Sequence, residues 1–531
     1  MGRYQYQHFG YVPPPELSGR AAPSSYPVVI VGAGPIGLAM AIDLAVRGIA
    51  SVVLDDNDVV SVGSRAICWA KRTLEIFDRL GVGERIVAKG VTWKIGRVFH
   101  GDREVYDFDL LPEDGHKMPA FVNLQQYYVE QYLVERAREF PDLIDLRFKN
   151  KVTSVRHLVD VVTVSVETLD GPYQLTADYL LACDGAKSLV RAELGLEFAG
   201  KLFEERFLIA DIELKADFPS ERRFWFEPTF HAGQSALLHK QPDDIYRIDL
   251  QLGWDADPEV ERQPENVLPR IERVLGRSDF ELDWVSVYTF QCRRLERFVH
   301  DRVIFVGDSA HVVSPFGARG GNGGIQDVDN LGWKLVAVLK GHAPEALLSS
   351  YDDERIRGAD ENIANSSRAT NFMTPKSAME KILRDEVLDL AGEMPFARRL
   401  VNSGRLSVPC SLAGLPLQTP SADAVLEPGS PCRDAPLRKD GEDVWLLNQL
   451  GDGFALLSFG SGPRIEVTDI AHVHVARPGE GELQDVTGHA FERYGDGMTY
   501  LIRPDQHVAA AFRIPDAAAI CAARDRALAR P

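Results

Sequence analysis

Three stretches of this chain carry glycine, aspartate and arginine at spacings that could do chemistry. The first is Gly32-Ala33-Gly34-Pro35-Ile36-Gly37, directly after the β-branched run 28–31. Its glycines permit a tight turn, close backbone approach to a pyrophosphate, and close helix–strand packing. A helix starting there would aim free N–H groups and the positive end of its dipole at the phosphates. Asp55 follows Gly37 by 18 residues at the end of the next strand, where a carboxylate can accept hydrogen bonds from a ribose hydroxyl. The bland alternative for Asp55 is an exposed acidic turn, Asp55-Asp56-Asn57-Asp58. The second stretch is Cys183-Asp184-Gly185-Ala186-Lys187-Ser188. The third is Gly307-Asp308-Ser309-Ala310-His311, running on through Ser314-Pro315-Phe316-Gly317-Ala318-Arg319-Gly320-Gly321-Asn322-Gly323-Gly324. Such a glycine-rich backbone can press against a flat ligand.

The elements around these stretches place them together. The pattern predicts a strand over 28–31, a buried helix to about Arg47 with Gly48 as its stop, and a strand over 51–54, which is a βαβ start with parallel strands. A helix is expected over 127–138, alternating strands over 152–166 around a turn at Leu169-Asp170-Gly171, and a separate buried strand over 179–183. From about 203 to 290 the alternation at 208–214, 236–239 and 246–250 reads as antiparallel strands with one face buried. Parallel-sheet texture returns at 303–306. An amphipathic helix beginning near Gly323 then carries Ile325, Val328, Leu331, Leu335 and Val338 on one face. Three strand ends of one parallel sheet therefore converge, and ligands bind at the carboxyl ends of such strands. A site drawing on residues 32 to 326 suits a cofactor held along its whole length.

Composition sets the outer limits. The 531 residues are enough for about three domains. Lys and Arg number 59 against 78 Asp and Glu, a net charge of −19, which argues against nucleic-acid and acidic-membrane partners. Residues 1–26 are polar, Tyr-rich and Pro-rich and read as an arm without a secretion signal. The apolar stretch 28–46 is broken by Gly32, Gly34, Pro35, Gly37 and Asp43, against a membrane span. Six scattered cysteines without a CxxC pair fit reduced thiols in a cytoplasmic protein with no metal site.

Taken together, the three stretches resemble the FAD-dependent aromatic hydroxylases, single-component flavoprotein monooxygenases related to para-hydroxybenzoate hydroxylase. The likeness is nearest to the 3-(3-hydroxyphenyl)propionate and phenol hydroxylase branch and spans about 27–515. Supporting stretches are Ser64-Arg65-Ala66, Leu124-Gln125-Gln126 with Glu130, Asp327-Val328-Asp329-Asn330-Leu331-Gly332-Trp333-Lys334-Leu335, and Ile502-Arg503-Pro504-Asp505-Gln506-His507-Val508-Ala509. The resemblance implies an α/β, Rossmann-like FAD-binding fold with an inserted antiparallel β-sheet substrate domain and a C-terminal thioredoxin-like domain. The expected divisions are an arm over 1–26 and an FAD-binding domain over 27–202 and 291–375. A substrate sheet over 203–290 with part of 90–122, a helical and Pro-rich linker over 376–420, and the thioredoxin-like unit over 421–531 complete them.

The resemblance also implies roles for individual residues. Gly32, Gly34, Pro35 and Gly37 would meet the FAD pyrophosphate and Asp55 the adenosine ribose. Arg65 and Gln126 would reach the pyrophosphate and ribityl region, Asp184 would serve FAD and NAD(P)H, and Gly307 with Asp308 would hold the ribityl chain. Gly320, Asn322 and Gly323 would lie beside the flavin pyrimidine ring. Pro315, through its backbone, and Arg319 are the catalytic candidates; a cation at 319, where much of the family has glutamine, could stabilise anionic reduced flavin or a phenolate. Structural alternatives stay open: a surface salt bridge for Arg65, a helix cap for Gln126, a packed hydrogen-bonded role for His311, and a solvent-facing or carbonyl-capping Arg319. Asp211, His239, Arg247 and Gln251 share the middle sheet without a ranking, and its aromatics Phe224, Trp225, Phe226 and Tyr246 are core or pocket wall. The implied activity is hydroxylation of a phenolic aromatic compound with NAD(P)H and O₂ through a flavin C4a-hydroperoxide, in a cytoplasmic homodimer of the kind that serves phenol degradation. Alternatives are a hydroxylase or Baeyer–Villiger oxygenase of polyketide- or antibiotic-like substrates and, remotely, a non-catalytic FAD-fold binding protein. Cys432, with no partner cysteine two or three residues away, leaves no dithiol chemistry in the last unit.

Overall fold

The computed structural model describes residues 4–19, 25–63, 65–158, 160–216, 218–253, 255–315, 317–401, 408–460 and 465–531. Ser64, Phe316 and the arm's residues 1–3 and 20–24 lie outside them.

β-Branched residues buried on both faces make the first sheet. Tyr26–Val31 pairs in parallel with Ser51–Leu54 on one side and with Gly171–Ala182 on the other. Ile144–Arg147 extends the sheet beyond Ser51–Leu54, and Val303–Phe305 extends it beyond Gly171–Ala182. The strand expected at 179–183 is the inner end of this 12-residue strand, whose outer half pairs antiparallel with Val162–Thr168. The chain needs no turn between them, because the alternating outer half leaves the core while the apolar inner half stays inside it. Helix Pro35–Val46 packs on this sheet and against helix Gly320–Leu339.

Helix Gly320–Leu339 departs from expectation twice. It begins at Gly320 rather than near Gly323, so its glycines lie in its first turns instead of in a loop. It is also buried almost all round, with Asp327, Asp329, Asn330 and Lys334 as covered as Leu331. Close packing explains both: a Cβ on Gly332 would sit 1.9 Å from Asp43 Oδ2, and one on Gly324 2.6 Å from Ile36 Cδ1.

The second large sheet runs in the order His311–Val312, Glu281–Arg294, Ala199–Glu213, Ile245–Leu252, Ser235–Lys240, Arg222–Phe226, Ile95–His100, Arg103–Asp109. All neighbours are antiparallel except Arg222–Phe226 with Ile95–His100. One buried face was expected; both are covered in the central strands. Leu208, Ala210, Ile212, Tyr246, Ile248 and Leu250 pack on Val267 and Ile271 of helix Pro264–Leu275. Phe207, Phe226, Leu237 and Phe290 pack on Met373 of helix Ala346–Met373 and on Leu388 and Ala391 of helix Ala378–Glu393.

Near the C-terminus, Ala471–Val475, Ala455–Phe459, Thr499–Ile502 and Val508–Phe512 form a sheet covered on one side by helix Ala517–Ala527. A buried ionic seam ties this unit to the rest. Arg72 and Arg79 both bond Asp329, at 2.9 and 2.5 Å, and Arg72 also donates to the carbonyl of Asp505. None of the described helices is long and apolar enough to cross a membrane.

Candidate active site

The three sequence stretches meet at the carboxyl ends of Tyr26–Val31, Gly171–Ala182 and Val303–Phe305. Gly32 has φ +104°, and a Cβ there would come within 2.5 Å of the Cys183 carbonyl oxygen. A Cβ on Gly37 would come within 1.9 Å of the Gly32 carbonyl oxygen, so turn and helix touch backbone to backbone. A Cβ on Gly34, by contrast, would meet nothing within 4 Å, which leaves room over the helix N-terminus. Asp55 closes this turn: its Oδ2 accepts from the Ala33 N–H at 2.6 Å and its Oδ1 from the Asn57 N–H at 2.8 Å. Oδ1 also accepts from Asn57 Nδ2 at 2.9 Å, so Oδ2 is the oxygen that keeps a second lone pair for a ligand hydroxyl.

Asp184 Oδ2 accepts from the Val190 N–H at 3.1 Å, whereas its Oδ1 is covered and has no partner among the described residues. Burial pushes this carboxyl up. Gly307 lies against Ile36, and the Asp308 side chain opens into the same cleft. Its low-dielectric surroundings raise the carboxyl, with His311 and Arg65 opposing the shift and Asp327 adding to it. Arg65 is exposed and forms no ion pair with any described residue, so the salt-bridge alternative finds no partner there. Its carbonyl accepts from Arg247 Nη1 at 3.0 Å. Gln126 is the first residue of its helix rather than its cap, and its amide bonds within the protein. Its Oε1 accepts from the Ala66 N–H at 3.1 Å, and its Nε2 donates to Ser61 Oγ and to buried Glu130.

The glycine-rich segment is rigidly held. The Pro315 carbonyl accepts from the Ala318 N–H at 3.0 Å, with Ala318 at φ +51°. Asn322 uses its side chain to anchor strand Cys68–Ala70: Oδ1 accepts from the Ala70 N–H and Nδ2 donates to the Cys68 carbonyl, both at 2.9 Å. What this helix start offers a ligand is therefore main chain at Gly320–Asn322, the first N–H groups of a helix. His311 is packed: its Nε2 lies 2.7 Å from Asp327 Oδ2, and Asp327 also receives the Gly307 N–H and Arg355 Nε. Arg319 is buried rather than solvent-facing and donates to Asn362 Oδ1 at 2.9 Å.

A second cleft, partly open to solvent, adjoins this segment. Phe108, Phe224, Phe226 and Phe372 wall it, and Arg222 and Arg319 face it. Strand register explains the wall. Residues directly opposite each other share a face, so Val98, Phe224, Leu237, Asp249 and Ile209 form one row. The adjacent row holds His239, Arg247 and Asp211. Arg247 Nε donates to Asp211 Oδ1 at 3.0 Å, and Gln241 Nε2 donates to the same oxygen at 3.3 Å. Burial, reinforced by Arg222 and Arg247, pushes His239 well below its ordinary range, so the ring is neutral. Burial raises the Cys68 thiol to about 11, and it donates to Asn123 Oδ1 instead of acting as a nucleophile.

A family model for the FAD-binding domain matches residues 25–366. The chain is 36% identical over 348 residues to a flavin-dependent monooxygenase of Mycobacteroides abscessus, covering 62% of this chain and 71% of that one. It is 26% identical over 455 residues to a 3-(3-hydroxy-phenyl)propionate/3-hydroxycinnamic acid hydroxylase of Mycolicibacterium smegmatis, covering 83% and 78%. Its fold matches that of the flavin-dependent monooxygenase PieE, solved with FAD and substrate, with a TM-score of 0.81 at 22% identity over 96% of this chain and all of that one. The chain belongs to the FAD-binding flavoprotein monooxygenases.

The cofactor cleft of this monooxygenase fits FAD by its own chemistry. It has room over a helix N-terminus and, among the described residues, a covered Asp184 Oδ1 without a partner and an Arg65 guanidinium without an ion pair. Of the sequence candidates, Gly32, Gly34, Asp55, Asp184, Gly307, Asp308 and Gly320 line or frame that cleft. Gln126 and the Asn322 side chain instead hold the neighbouring 61–70 segment. Sequence reasoning missed Arg222, which lines the second cleft. The β-strand alternation that puts it on the Phe224 face was readable, but not which strands would lie side by side.

Proposed function

We propose that this monooxygenase uses NAD(P)H and O₂ to hydroxylate a phenolic aromatic compound. The observation that carries the reading is the aromatic cleft holding the Arg222 and Arg319 guanidinium groups beside the glycine-rich segment. Flat rings stack on the phenylalanine wall, and a developing negative charge on the substrate oxygen is met by cations in a low-dielectric site. Bound FAD supplies electron transfer and oxygen activation. In this reading the backbone at Gly32, Gly34 and Gly37 seats the pyrophosphate, Asp55 binds the ribose, and Arg65 and Asp308 flank the ribityl chain. The helix N-terminus at Gly320 orients the ring, with the Pro315 turn beside it, and the phenylalanines exclude water. The same reading includes a thioredoxin-like unit over 421–531, in which buried Cys432 serves packing and Cys521 stands 89 positions away in the sequence, with no CxxC pair.

The four phenylalanines of the cleft wall favour a second reading, a polycyclic phenol of polyketide type, whose fused rings would stack on several of them at once. The FAD-loaded protein is assayed for NAD(P)H consumption with simple and polycyclic phenols, and products are weighed by mass spectrometry. A phenol that accelerates consumption and gains one oxygen atom supports the proposal and chooses between the two substrate sizes. Protein that neither retains nor rebinds FAD, or that oxygenates no phenol, overturns it.

A further inference from the structure

Residues 4–19 precede the part of the chain that matches the FAD-binding family, yet they are docked on it. The order Tyr4-Gln5-Tyr6-Gln7 alternates half-buried rings with exposed amides, as a segment laid along a surface does. Phe9 is buried and stacks on Phe148 with ring centroids 4.4 Å apart, and its N–H donates to the Asp58 carbonyl at 2.6 Å. Tyr4 packs on Tyr127 and Tyr128 at 4.2 and 5.0 Å, and its hydroxyl donates to Gln131 Oε1 at 3.0 Å. Tyr6 meets Tyr4 and Tyr127 edge-on, and its hydroxyl accepts from the Gly63 N–H at 3.0 Å. Burial lifts the Tyr6 hydroxyl above its ordinary range, so it stays protonated.

Gly63 is buried and stands two positions before Arg65. Its φ is +76°, and a Cβ there would lie 2.2 Å from Trp284 Nε1. The backbone therefore passes bare against the indole while Tyr6 takes its N–H. The other holds on this stretch come from the body of the protein. Glu130 accepts from the Ser61 N–H and hydroxyl, Gln126 accepts from the Ala66 N–H, and Arg247 donates to the Arg65 carbonyl. The Arg65 guanidinium itself is exposed, and its charge is felt by Asp308 in the cofactor cleft.

We infer that Tyr6 is a positioning residue for FAD: its hydroxyl fixes the Gly63 peptide and, through it, the Arg65 guanidinium beside the bound cofactor. Tyr4 and Phe9 seat the arm that carries it. This rests on the reading above in which Arg65 flanks FAD. Glycine has the widest backbone freedom of any residue, so the Gly63 peptide turns readily once its N–H is released. A cation on a backbone already held in place loses less freedom when it takes a phosphate, and affinity rises accordingly.

The test follows flavin fluorescence after dilution of the FAD-loaded, full-length protein, because its rise reports FAD release. Tyr6→Phe keeps the ring and removes the acceptor, and release should quicken about 3- to 10-fold. Tyr11→Phe, whose lost hydroxyl bonds Thr168 instead, should release FAD as the wild type does. Arg65→Ala should itself release FAD faster, and adding Tyr6→Phe to it should change nothing more, since such a cycle isolates the coupling of the two residues. Circular dichroism and apoprotein Tm serve as fold controls. If Arg65→Ala retains no FAD, salt decides: ions screen a contact between an exposed cation and a phosphate, so NaCl should quicken release more steeply in the wild type than in Tyr6→Phe. Unchanged release in Tyr6→Phe, equal quickening in Tyr11→Phe or on the Arg65→Ala background, or equal salt dependence overturns the proposal alone. Release from Arg65→Ala as slow as from the wild type overturns the reading of Arg65 and the proposal with it.

Discussion

Arg503 Nη1 and Nη2 lie 2.6 and 2.9 Å from the two carboxylate oxygens of Glu354, 149 residues away in the chain. Lys334 Nζ shares Glu354 Oε2 at 2.7 Å, and Arg503 also pairs with Asp505. All four side chains are fully buried. The C-terminal unit is therefore bolted through ion pairs to helix Gly320–Leu339, whose other end faces the cofactor cleft. The cost of burying four charges is offset only while every partner is present.

Glu354→Gln should accordingly cost about 3–5 kcal/mol, because it takes the carboxylate from buried Lys334 and leaves buried Arg503 with Asp505 alone. Calorimetry of the loaded protein checks this, and a loss under about 1 kcal/mol would show the seam to be dispensable. Despite burial, Arg503 and Lys334 hold Glu354 well below its ordinary range. A depressed carboxyl stabilises the fold above its unfolded pKa, about 4.3, and that contribution is lost as pH falls further.

Lys334 gives the opposite signature. Burial lowers it to about 8, with Glu354 opposing the shift. The unfolded lysine holds its proton to about 10.4, so between these values unfolding takes up a proton and stability rises with pH. Denaturant midpoints measured from pH 7 to 10 should show this rise in the wild type, and Lys334→Met should flatten it.

Gly37→Val should abolish FAD retention. Even its Cβ would overlap the Gly32 carbonyl, so the turn must open, at a cost of about 1–3 kcal/mol or more. Gel filtration with detection of bound flavin reads the outcome. Gly34→Ala, whose Cβ points into open space, should fold normally and weaken binding only, which separates ligand room from packing.

Arg319→Met removes the cation of the glycine-rich segment and its bond to Asn362. Substrate-stimulated turnover should fall about 10²-fold while FAD content stays intact. Turnover unchanged by this variant would assign Arg319 to packing.

Asp327 joins His311, Arg355 and the Gly307 N–H at one carboxylate. Against burial, His311 and Arg355 hold it below its usual range. Asp327→Asn should loosen the loop carrying Asp308, seen as faster FAD release at neutral pH with secondary structure preserved by circular dichroism.

Local chemistry made much of this molecule legible. The strand–glycine–helix start at 28–46 and the Asp55 position follow from backbone sterics and helix dipoles, which act within a few residues of one another. The three motif stretches and their convergence at strand ends were readable for the same reason, since parallel β-α units put every such end on one edge. The start of helix Gly320–Leu339 was not legible, because its glycines answer to Ile36, Gly307 and Asp43, distant in sequence. Gln126 and Asn322 carried the right polarity, but only the folded chain decided that their amides would anchor the 61–70 segment. Arg222 and Asp249 are 27 positions apart and unremarkable in isolation. They share one sheet face because strand pairing sets Phe224 opposite Leu237 and Leu237 opposite Asp249. Residue types and short spacings determined the chemistry available to this protein; which groups meet was decided by packing over hundreds of residues, where burial energy rather than local propensity selects the neighbours.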